Sequence, residues 1–299
     1  MLKETVIPNL AFHAVTVADL ERYADVAKAE GSLSADHSFV NLYVWNNTYH
    51  QELAFFEDRA VVRFGTDNAY RYLFPIGSGD PSPVLNALLK AEPKLHLAAV
   101  TEQELDCILQ HFPDTFSVFE ERDLADYLYS ATSLATLSGK KLHGKRNHIN
   151  AFSAANNWHV LPLTEAHFPA CREILKAWQK LHQDVGAQNE NDAIERAFES
   201  FSALSLHGAL LVANDKPVAF TIGSMLTPTA LCVHFEKALP DVQGAYPTVN
   251  REFVRMMLER FPDLTTVNRE DDMGLENLRA AKLSYRPTAL LRKFTLIEK

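Results

Sequence analysis

The chain has 299 residues, of which 47% are hydrophobic and 22% are charged, a composition typical of a folded protein rather than a disordered or fibrous one. Its net charge of −9 repels nucleic acid and anionic lipid on average, so any such partner must bind a local basic patch. At this length two domains of about 150 residues each are expected.

Cysteine usage and the N-terminal segment both indicate a cytoplasmic protein. Cys107, Cys171 and Cys232 lie far apart and form no CxxC pair, which argues against a disulfide framework or a structural zinc site. Residues 1–12 lack the continuous apolar stretch of a signal peptide. No run of 18 apolar residues occurs, so we expect neither export by this route nor a membrane-spanning segment.

The first half of the chain alternates between predicted strands and helices. The segment 38–46 mixes aromatic and amide side chains in a way typical of core packing, and residues 77–83 are typical of a loop. Apolar runs predict strands at residues 60–64, 70–74, 94–100 and 115–119, and helical periodicity predicts helices at residues 84–91 and 102–111. This spacing indicates an α/β domain.

A basic segment lies where a boundary between two equal halves would fall. Residues 133–155 are predicted to form one helix, which contains four permanent positive charges and no acid between residues 139 and 148. We therefore predict an N-terminal domain over residues 1–137, a linker helix over residues 138–157 and a C-terminal domain over residues 158–299. The helix can grip phosphate, pack against the second domain or do both, through Lys145, Arg146, Asn147 and Asn150.

The second half begins with a strand and a pair of helices. The strand is predicted at residues 158–163 and the helices at residues 167–182 and 191–206. Strands at residues 209–213, 217–225 and 230–237 follow, the first two joined by a turn at residues 214–216. A helix with one apolar face begins near Pro247, and the last elements are a strand at 264–267, a helix at 275–284 and a strand at 289–297.

The strand at residues 230–237 carries the first candidate for chemistry. Alternation along a strand places Cys232, His234 and Glu236 on one face. An imidazole beside a carboxylate can act as a general base that removes a proton from an attacking amine or hydroxyl. The equally acceptable alternative is a hydrogen-bonded polar pair on a half-buried strand.

A polar run after the strand at 264–267 is the second candidate. Strand-end loops of this kind face the ligand crevice in open α/β sheets, which favours a functional role for Asn268, Arg269 and Glu270. Asp271 or Asp272 can instead cap the helix that follows. On that helix three cations share one face and suit a phosphate-bearing ligand, although a solvated face is the alternative: Arg279, Lys282 and Arg286.

Several common catalytic motifs are absent from the sequence. It contains no P-loop, GxSxG elbow, HExxH or GxGxxG pattern. Nucleotide hydrolysis, serine hydrolysis and zinc proteolysis therefore lose their main support from the sequence.

Four segments resemble one protein family, that of the soluble C-terminal domain of bacterial phosphatidylglycerol lysyltransferase. They are residues 139–152 (GKKLHGKRNHINAF), 234–238 (HFEKA), 244–253 (GAYPTVNREF) and 268–287 (NREDDMGLENLRAAKLSYRP). The resemblance implies an α/β fold of two tandem GNAT-like domains, of the acyl-CoA N-acyltransferase type, with mixed central sheets. It also implies a relationship to Fem-type transferases, which move an aminoacyl group from charged tRNA to an amine or hydroxyl.

On this resemblance the functional residues are assigned as follows. His234 and Glu236 would lie at the reacting centre as catalytic groups. Aminoacyl-tRNA would be the donor, with a small-molecule, lipid or peptide acceptor, and no metal is expected. The residues expected to bind substrate are Lys145, Arg146, Asn147, Asn150, Lys237, Tyr246, Asn250, Asn268, Arg269, Glu270, Asp271, Arg279 and Lys282.

The sequence leaves open which molecule donates the transferred group. The loop at residues 241–246 keeps Gly244 but lacks the glycine-rich pattern by which GNAT enzymes hold the pyrophosphate of coenzyme A at a helix N-terminus. We therefore expect no required cofactor. An acyl-CoA-dependent N-acyltransferase is the first alternative, and a catalytically silent ligand- or tRNA-binding protein is the second.

Overall fold

The computed structural model of the protein describes residues 10–65, 69–182 and 185–299. Its contacts divide the chain into two compact units, Met1–Asp126 with Leu291–Lys299, and Tyr127–Leu290. The described residues of each unit are built on a mixed sheet of seven strands. Residues 1–9, on which the expectation about export largely depends, lie outside the described residues.

The sheet of the first unit has the strand order β1-β2-β3-β4-β5-β14-β6. Only β4 and β5 are parallel among its described pairs. The strands are β1 (His13–Ala14), β2 (Glu52–Phe56), β3 (Arg59–Phe64), β4 (Arg71–Tyr72), β5 (His96–Thr101), β6 (Phe116–Glu120) and β14 (Lys293–Glu298). The helices are α1 (Leu20–Glu30), α2 (Phe39–Val44), α3 (Asn46–Tyr49), α4 (Ser82–Ala91) and α5 (Glu102–His111).

Local sequence signals explain why the first unit matches its predicted elements. Helix α5 begins with a capping box, in which the Thr101 side chain accepts from the Glu104 amide and Glu104 accepts from the Thr101 amide. Helix α2 buries four apolar side chains, as predicted for residues 38–46: Phe39, Val40, Leu42 and Val44.

The end of the chain differs from its prediction. Residues 289–297 were predicted as one strand closing the second domain, and this is wrong, because the segment divides into β13 (Ala289–Leu291) and β14. Strand β13 lies at the edge of the second sheet, whereas β14 lies between β5 and β6 in the first. Phe294 and Leu296 pack in the apolar core of the first unit, which explains the change of sheet.

The sheet of the second unit has the strand order β13-β7-β12-β11-β10-β9-β8, and β11 is parallel to β12. The remaining strands are β7 (Asp126–Ser130), β8 (Trp158–Pro162), β9 (His207–Ala213), β10 (Lys216–Thr227), β11 (Ala230–Ala238) and β12 (Thr266–Asn268). The helices are α6 (Ala131–Thr136), α7 (His143–Ala155), α8 (Phe168–Gln179), α9 (Val185–Glu199), α10 (Ala245–Arg260) and α11 (Glu276–Leu283). No described helix has both the length and the apolar character needed to cross a membrane.

Helices cover both faces of the second sheet. Helix α10 packs against β9, β10 and β11 and against α6 and α7 on one face, which we call face A. Helix α8 packs against β10 and β11 on the other, face B, where Phe198 of α9 also contacts Phe220 of β10. The predicted turn between β9 and β10 is confirmed, because Asn214 and Asp215 both have positive φ, as hairpin turns require.

The predicted helix over residues 133–155 is interrupted. Leu137 and Gly139 have positive φ, so α6 ends and α7 begins only at His143. Helix α7 packs against α10 and therefore belongs to the second unit rather than forming a linker. The division between units lies at Asp126 and Tyr127 instead of within residues 138–157.

Candidate functional site

The parallel pair β11 and β12 separates partway along its length. The two strands are in register from Ala230 opposite Thr266 to Cys232 opposite Asn268, where β12 ends. Strand β11 continues to Ala238, so its second half lies beside the loop that follows β12. That loop is held by β7, since the Tyr127 amide donates to the Glu270 carbonyl at 3.1 Å and the Arg269 amide donates to the Tyr127 carbonyl at 3.0 Å.

A β-bulge in β11 changes which side chains share a face. Ile222 of β10 is opposite Phe235 while Gly223 is opposite Val233, so His234 has no residue opposite it. Strand alternation is therefore inverted after His234, and Glu236 lies on face A together with Leu231 and Val233. The prediction that His234 and Glu236 form a pair on one face is wrong for this reason.

Glu236 is the centre of a polar cluster on face A. Its Oε1 accepts from Arg269 Nη2 at 3.1 Å, and its Oε2 accepts from Asn250 Nδ2 of α10 at 2.9 Å. Asn250 is fully buried. Two further polar atoms here, Asn250 Oδ1 and Arg269 Nη1, are buried and have no hydrogen-bond partner among the described residues. The Glu236 carboxylate is therefore flanked by this acceptor atom of Asn250 and this donor atom of Arg269.

Aromatic rings enclose the guanidinium of this cluster. The Arg269 guanidinium lies 4.7 Å from the ring centre of Tyr285 and 5.8 Å from that of Tyr129. Burial by itself lowers the pKa of Arg269, but the charge of Glu236 and the two tyrosines raise it overall. Lys145 Nζ lies 4.0 Å from the ring centre of Tyr285, and burial and the charge of Arg269 lower the pKa of Lys145.

His234 belongs to a second cluster. Its Nε2 lies 2.8 Å from Ser224 Oγ on β10, and its Nδ1 lies 2.9 Å from Glu270 Oε1. The thiol of Cys232 donates to the same Glu270 oxygen at 3.6 Å. The side chain of His234 is 0% exposed, whereas that of Glu270 is 23% exposed.

The cations predicted to bind phosphate instead contact the loop that follows β12. Arg279 donates to Asp272 through Nε at 2.9 Å and through Nη2 at 2.8 Å. Tyr127 also donates to Asp272, and although burial alone raises the pKa of that carboxyl, these donors lower it well below its usual range. Lys282 Nζ donates to the carbonyl oxygens of Arg269, at 2.6 Å, and Asp271.

Side chains on the loop itself complete this arrangement. Asn268 accepts from the Glu270 amide at 2.6 Å, and Asp271 accepts from the Met273 amide at 2.9 Å. The Asp272 side chain accepts from the Gly274 amide at 3.0 Å. The acids therefore organise the turn before α11. Helix α11 has Leu275 at its N-cap and no side-chain cap, so the alternative that Asp271 or Asp272 caps this helix is wrong.

Two other predicted residues lie outside the hydrogen-bonded Glu236 cluster, although the charge of Glu236 still acts on both. Lys237 is on face B, where its Nζ lies 2.8 Å from Glu190 Oε2 and 3.6 Å from the ring centre of Trp178. Burial lowers the pKa of Lys237. Tyr246 is exposed at the start of α10, and partial burial of its hydroxyl raises its pKa to about 12.

In the basic segment only Lys145 approaches the Glu236 cluster. The Arg146 guanidinium donates to the carbonyl of Leu137 and, at 2.7 Å, to that of Gly139. It therefore stabilises the break between α6 and α7. Asn147 lies 3.3 Å from His143 Nδ1, and both Asn147 and Asn150 are exposed.

Sequence reasoning missed the residues that complete both clusters. Tyr129 and Tyr285 enclose Arg269, and Ser224 contacts His234. The alternation Tyr127-Leu128-Tyr129 was a usable strand signal for β7, but nothing in the sequence pairs this strand with β12, which lies more than a hundred residues further along the chain.

Comparison with known proteins now places the chain in a family. A family profile described as phosphatidylglycerol lysyltransferase, C-terminal, matches residues 30–297, so the chain belongs to this family and the predicted resemblance is confirmed. A crystal structure of a conserved protein of unknown function from Bacteroides thetaiotaomicron VPI-5482 is 34% identical, with a TM-score of 0.91 over 97% of this chain and 100% of that one.

More distant structures share the fold. L-PGS from Bacillus licheniformis is 13% identical, with a TM-score of 0.66 over 96% of this chain and 93% of that one. A tandem GNAT protein from the clavulanic acid biosynthesis pathway is 8% identical, with a TM-score of 0.52 over 96% and 98%. FemX is 8% identical, with a TM-score of 0.61 over 96% of each chain. The predicted tandem GNAT fold and its relation to Fem-type proteins are therefore confirmed.

One curated relative matches over part of its length. An uncharacterised protein of Mycoplasmoides gallisepticum is 25% identical over 172 residues, 56% of this chain and 54% of that protein. The match thus spans about half the length of the curated relative.

Proposed function

We propose that this protein transfers an aminoacyl group from charged tRNA to an amine or hydroxyl of a small molecule, lipid or peptide. The family and the fold are those of aminoacyl- and acyltransferases, which supports the reaction type. The observation that carries the proposal is the Glu236 carboxylate flanked by a donor, Arg269 Nη1, and an acceptor, Asn250 Oδ1, neither of which has a hydrogen-bond partner in the part of the chain that the structure describes.

The three side chains supply complementary parts of an acyl transfer. The lone pair of the acceptor nitrogen or oxygen forms a bond to the ester carbonyl carbon, and the ester C–O bond then breaks to release the ribose hydroxyl. Arg269 Nη1 donates to the oxyanion that develops, a contribution worth about 100- to 1,000-fold in rate at comparable sites. Glu236 takes the proton of the acceptor and returns it to the leaving ribose oxygen.

Access favours Glu236 over His234 as the group that meets the acceptor. The Glu236 side chain is 11% exposed, whereas the His234 side chain is 0% exposed. Asn250 Oδ1 can accept from the acceptor amine or hydroxyl and so orient its lone pair. In this proposal Arg279 and Lys282 hold the backbone that presents Arg269, and Lys145 provides positive charge beside the cluster.

The first experiment measures transfer from an aminoacyl-tRNA pool to amine and hydroxyl acceptors, with acyl-CoA supplied separately as a competing donor. Glu236→Gln should lower kcat by at least about 100-fold in a chain that still folds, because glutamine cannot take the proton. Loss of the ion pair with Arg269 should also lower the unfolding midpoint, so activity is compared under conditions in which both chains are folded. The matched control is Glu252→Gln, another ion-paired glutamate of the second unit, which contacts Arg251 and Arg255.

Each alternative gives a distinct result in the same assay. Turnover with acyl-CoA and none with aminoacyl-tRNA would support the acyl-CoA-dependent reading. Ligand binding that depends on salt but yields no product with any donor would support a catalytically silent binding protein. Full activity in Glu236→Gln would remove this residue from the mechanism.

A further inference from the structure

The cluster on β11 that contains His234 has the composition of a transition-metal site. Cys232, His234 and Glu270 each offer one ligand atom, and these atoms all lie within 4.8 Å of one another. Thiolate, imidazole and carboxylate are the ligand types that zinc takes in proteins. With the thiol deprotonated, one thiolate and one carboxylate balance the charge of a divalent ion.

We propose that Cys232 Sγ, His234 Nδ1 and Glu270 bind a single Zn²⁺-like divalent transition metal. The proposal goes beyond the transfer function, since it uses none of the atoms of the Glu236 cluster. The separation of Cys232 Sγ and Glu270 Oε1 is 3.6 Å, and that of His234 Nδ1 and Glu270 Oε1 is 2.9 Å. Tetrahedral zinc, with bonds of about 2.0–2.3 Å, holds its ligand atoms about 3.3–3.5 Å apart, so the first separation already fits and only the second must widen.

The surrounding residues orient these ligands. Ser224 Oγ lies 2.8 Å from His234 Nε2, which leaves Nδ1 directed toward Glu270. Metal-bound histidines generally have such a partner on the second ring nitrogen. Strand alternation places Cys232 and His234 on the same face, and the bulge at His234 directs Glu236 to the opposite face, away from these ligands.

The backbone of Glu270 is held in an unusual conformation. Its φ is 57°, in the left-handed region, which is unfavourable for a residue with a side chain. Hydrogen bonds to both sides of this residue maintain it, from its amide to Asn268 Oδ1 and from the Tyr127 amide to its carbonyl. Strain of this kind is common at binding sites and points to a need for the Glu270 carboxylate at this place.

The exposure of the three ligand side chains also suits a metal ion with one open coordination position. Cys232 is fully buried and the His234 side chain is 0% exposed, whereas the Glu270 side chain is 23% exposed. Three protein ligands with one accessible side leave the fourth position of a tetrahedral ion for water or a substrate. The spacing of the cysteines along the chain argued against a structural zinc site. Sequence spacing, however, cannot reveal ligands that are far apart in sequence and come together only in the folded structure.

The test is a titration of the full chain with Co²⁺ after treatment with a chelator. Cobalt bound by thiolate gives a charge-transfer absorption in the near ultraviolet, so the band reports on a cysteine ligand. We expect the band to saturate at one equivalent, to disappear when Zn²⁺ is added and to accompany proton release from the thiol. Cys232→Ser should abolish it, whereas the matched controls Cys107→Ser and Cys171→Ser should leave it unchanged.

Two further variants keep the proposal falsifiable if Cys232→Ser fails to fold. Glu270→Gln and Ser224→Ala should each weaken Co²⁺ binding at least about 10-fold, Ser224 acting as a positioning residue. Another acid-rich group in the first unit, formed by Glu30, His37 and Glu104, offers no thiolate and gives no such band. Absence of the band, its persistence in Cys232→Ser or its loss in Cys107→Ser would overturn the proposal.

The metal-site proposal and the proposed transfer function can be refuted independently of each other. Glu236→Gln should bind Co²⁺ with unchanged affinity, because the bulge places the Glu236 side chain on the face opposite His234. Loss of transfer with an intact cobalt band would therefore bear on the proposed function alone.

Discussion

His37 shows how two neighbouring carboxylates govern a single residue. Its Nδ1 lies 3.0 Å from Glu30 and its Nε2 lies 3.6 Å from Glu104, and the imidazole is buried. Burial by itself lowers the pKa of His37, but Glu30 and Glu104, with a smaller effect of Asp36, raise that pKa from its ordinary 6.5 to about 9. Because the folded-state pKa exceeds the unfolded one, the stabilisation is fully present below pH 6.5 and is lost as the pH rises through 9.

We therefore predict a pH-dependent free energy of unfolding that His37→Gln removes. At about 1.4 kcal/mol for each tenfold change in proton affinity, the native chain should lose about 3 kcal/mol between pH 6 and pH 10 relative to His37→Gln. Urea unfolding across this range measures the difference, and the exposed His148→Gln serves as the control. Parallel curves for the native chain and His37→Gln would contradict the prediction.

At the same scale, sequence reasoning identified side chains of the site but not their pairings. Glu236, Arg269, Asn250 and Lys145 were all assigned to the site, and the structure brings them together. It separates Glu236 from His234 because strand alternation assumes a regular ladder, and the bulge breaks that ladder. Such a bulge depends on the register with β10, which a single strand does not encode.

Among the elements, α10 depends on a glycine at its first turn. Gly244 has φ +84, and a Cβ there would lie 2.7 Å from the His148 carbonyl and 2.8 Å from the Phe152 Cβ, both on α7. Gly244, which matches one position of the pyrophosphate-binding loop of GNAT enzymes, is thus required here by the packing of α10 against α7. This contact fixes the helix that carries Asn250.

Gly244→Ala should accordingly destabilise the second unit. Left-handed strain of about 1–2 kcal/mol and overpacking of about 1–3 kcal/mol add to roughly 2–5 kcal/mol. Gly31→Ala is the matched control, because Gly31 is also left-handed, with φ 71° and ψ 25°, but has nothing within 4 Å of the added Cβ. It should cost only the strain, and equal unfolding midpoints for the two variants would show that the α7 contact contributes nothing.

Element types were predictable wherever local signals were strong. The capping box of α5, the turn between β9 and β10 and the apolar face of α10 are all encoded within a few residues. The two misassignments had non-local causes. Residues 133–155 were predicted to form one helix, yet Leu137 has a φ of 50° and Arg146, nine residues further on, stabilises the break.

On the scale of the whole molecule, the chain returns to its first unit at its end. Strand β14 pairs with β5 on one side and β6 on the other, so a C-terminal segment occupies an interior position of the N-terminal sheet. Lys293 at the start of β14 is buried between Asp36 and Asp126. Hydrophobic periodicity can identify such a strand. It cannot identify the sheet that the strand joins, because the pairing partners are distant in sequence and periodicity reports only on neighbouring residues.

Truncating β14 should therefore weaken the first unit rather than the second. Leu296 is fully buried between Leu97 and Val118, and Leu296→Ala should cost about 2–5 kcal/mol through the lost contacts and the cavity. Hydrogen exchange measured by mass spectrometry should accelerate in β5 and β6. Thr295→Ala, at a half-buried neighbouring position of the same strand, should change exchange little. Acceleration confined to β10 and β11 would instead place the C-terminal strand with the second unit.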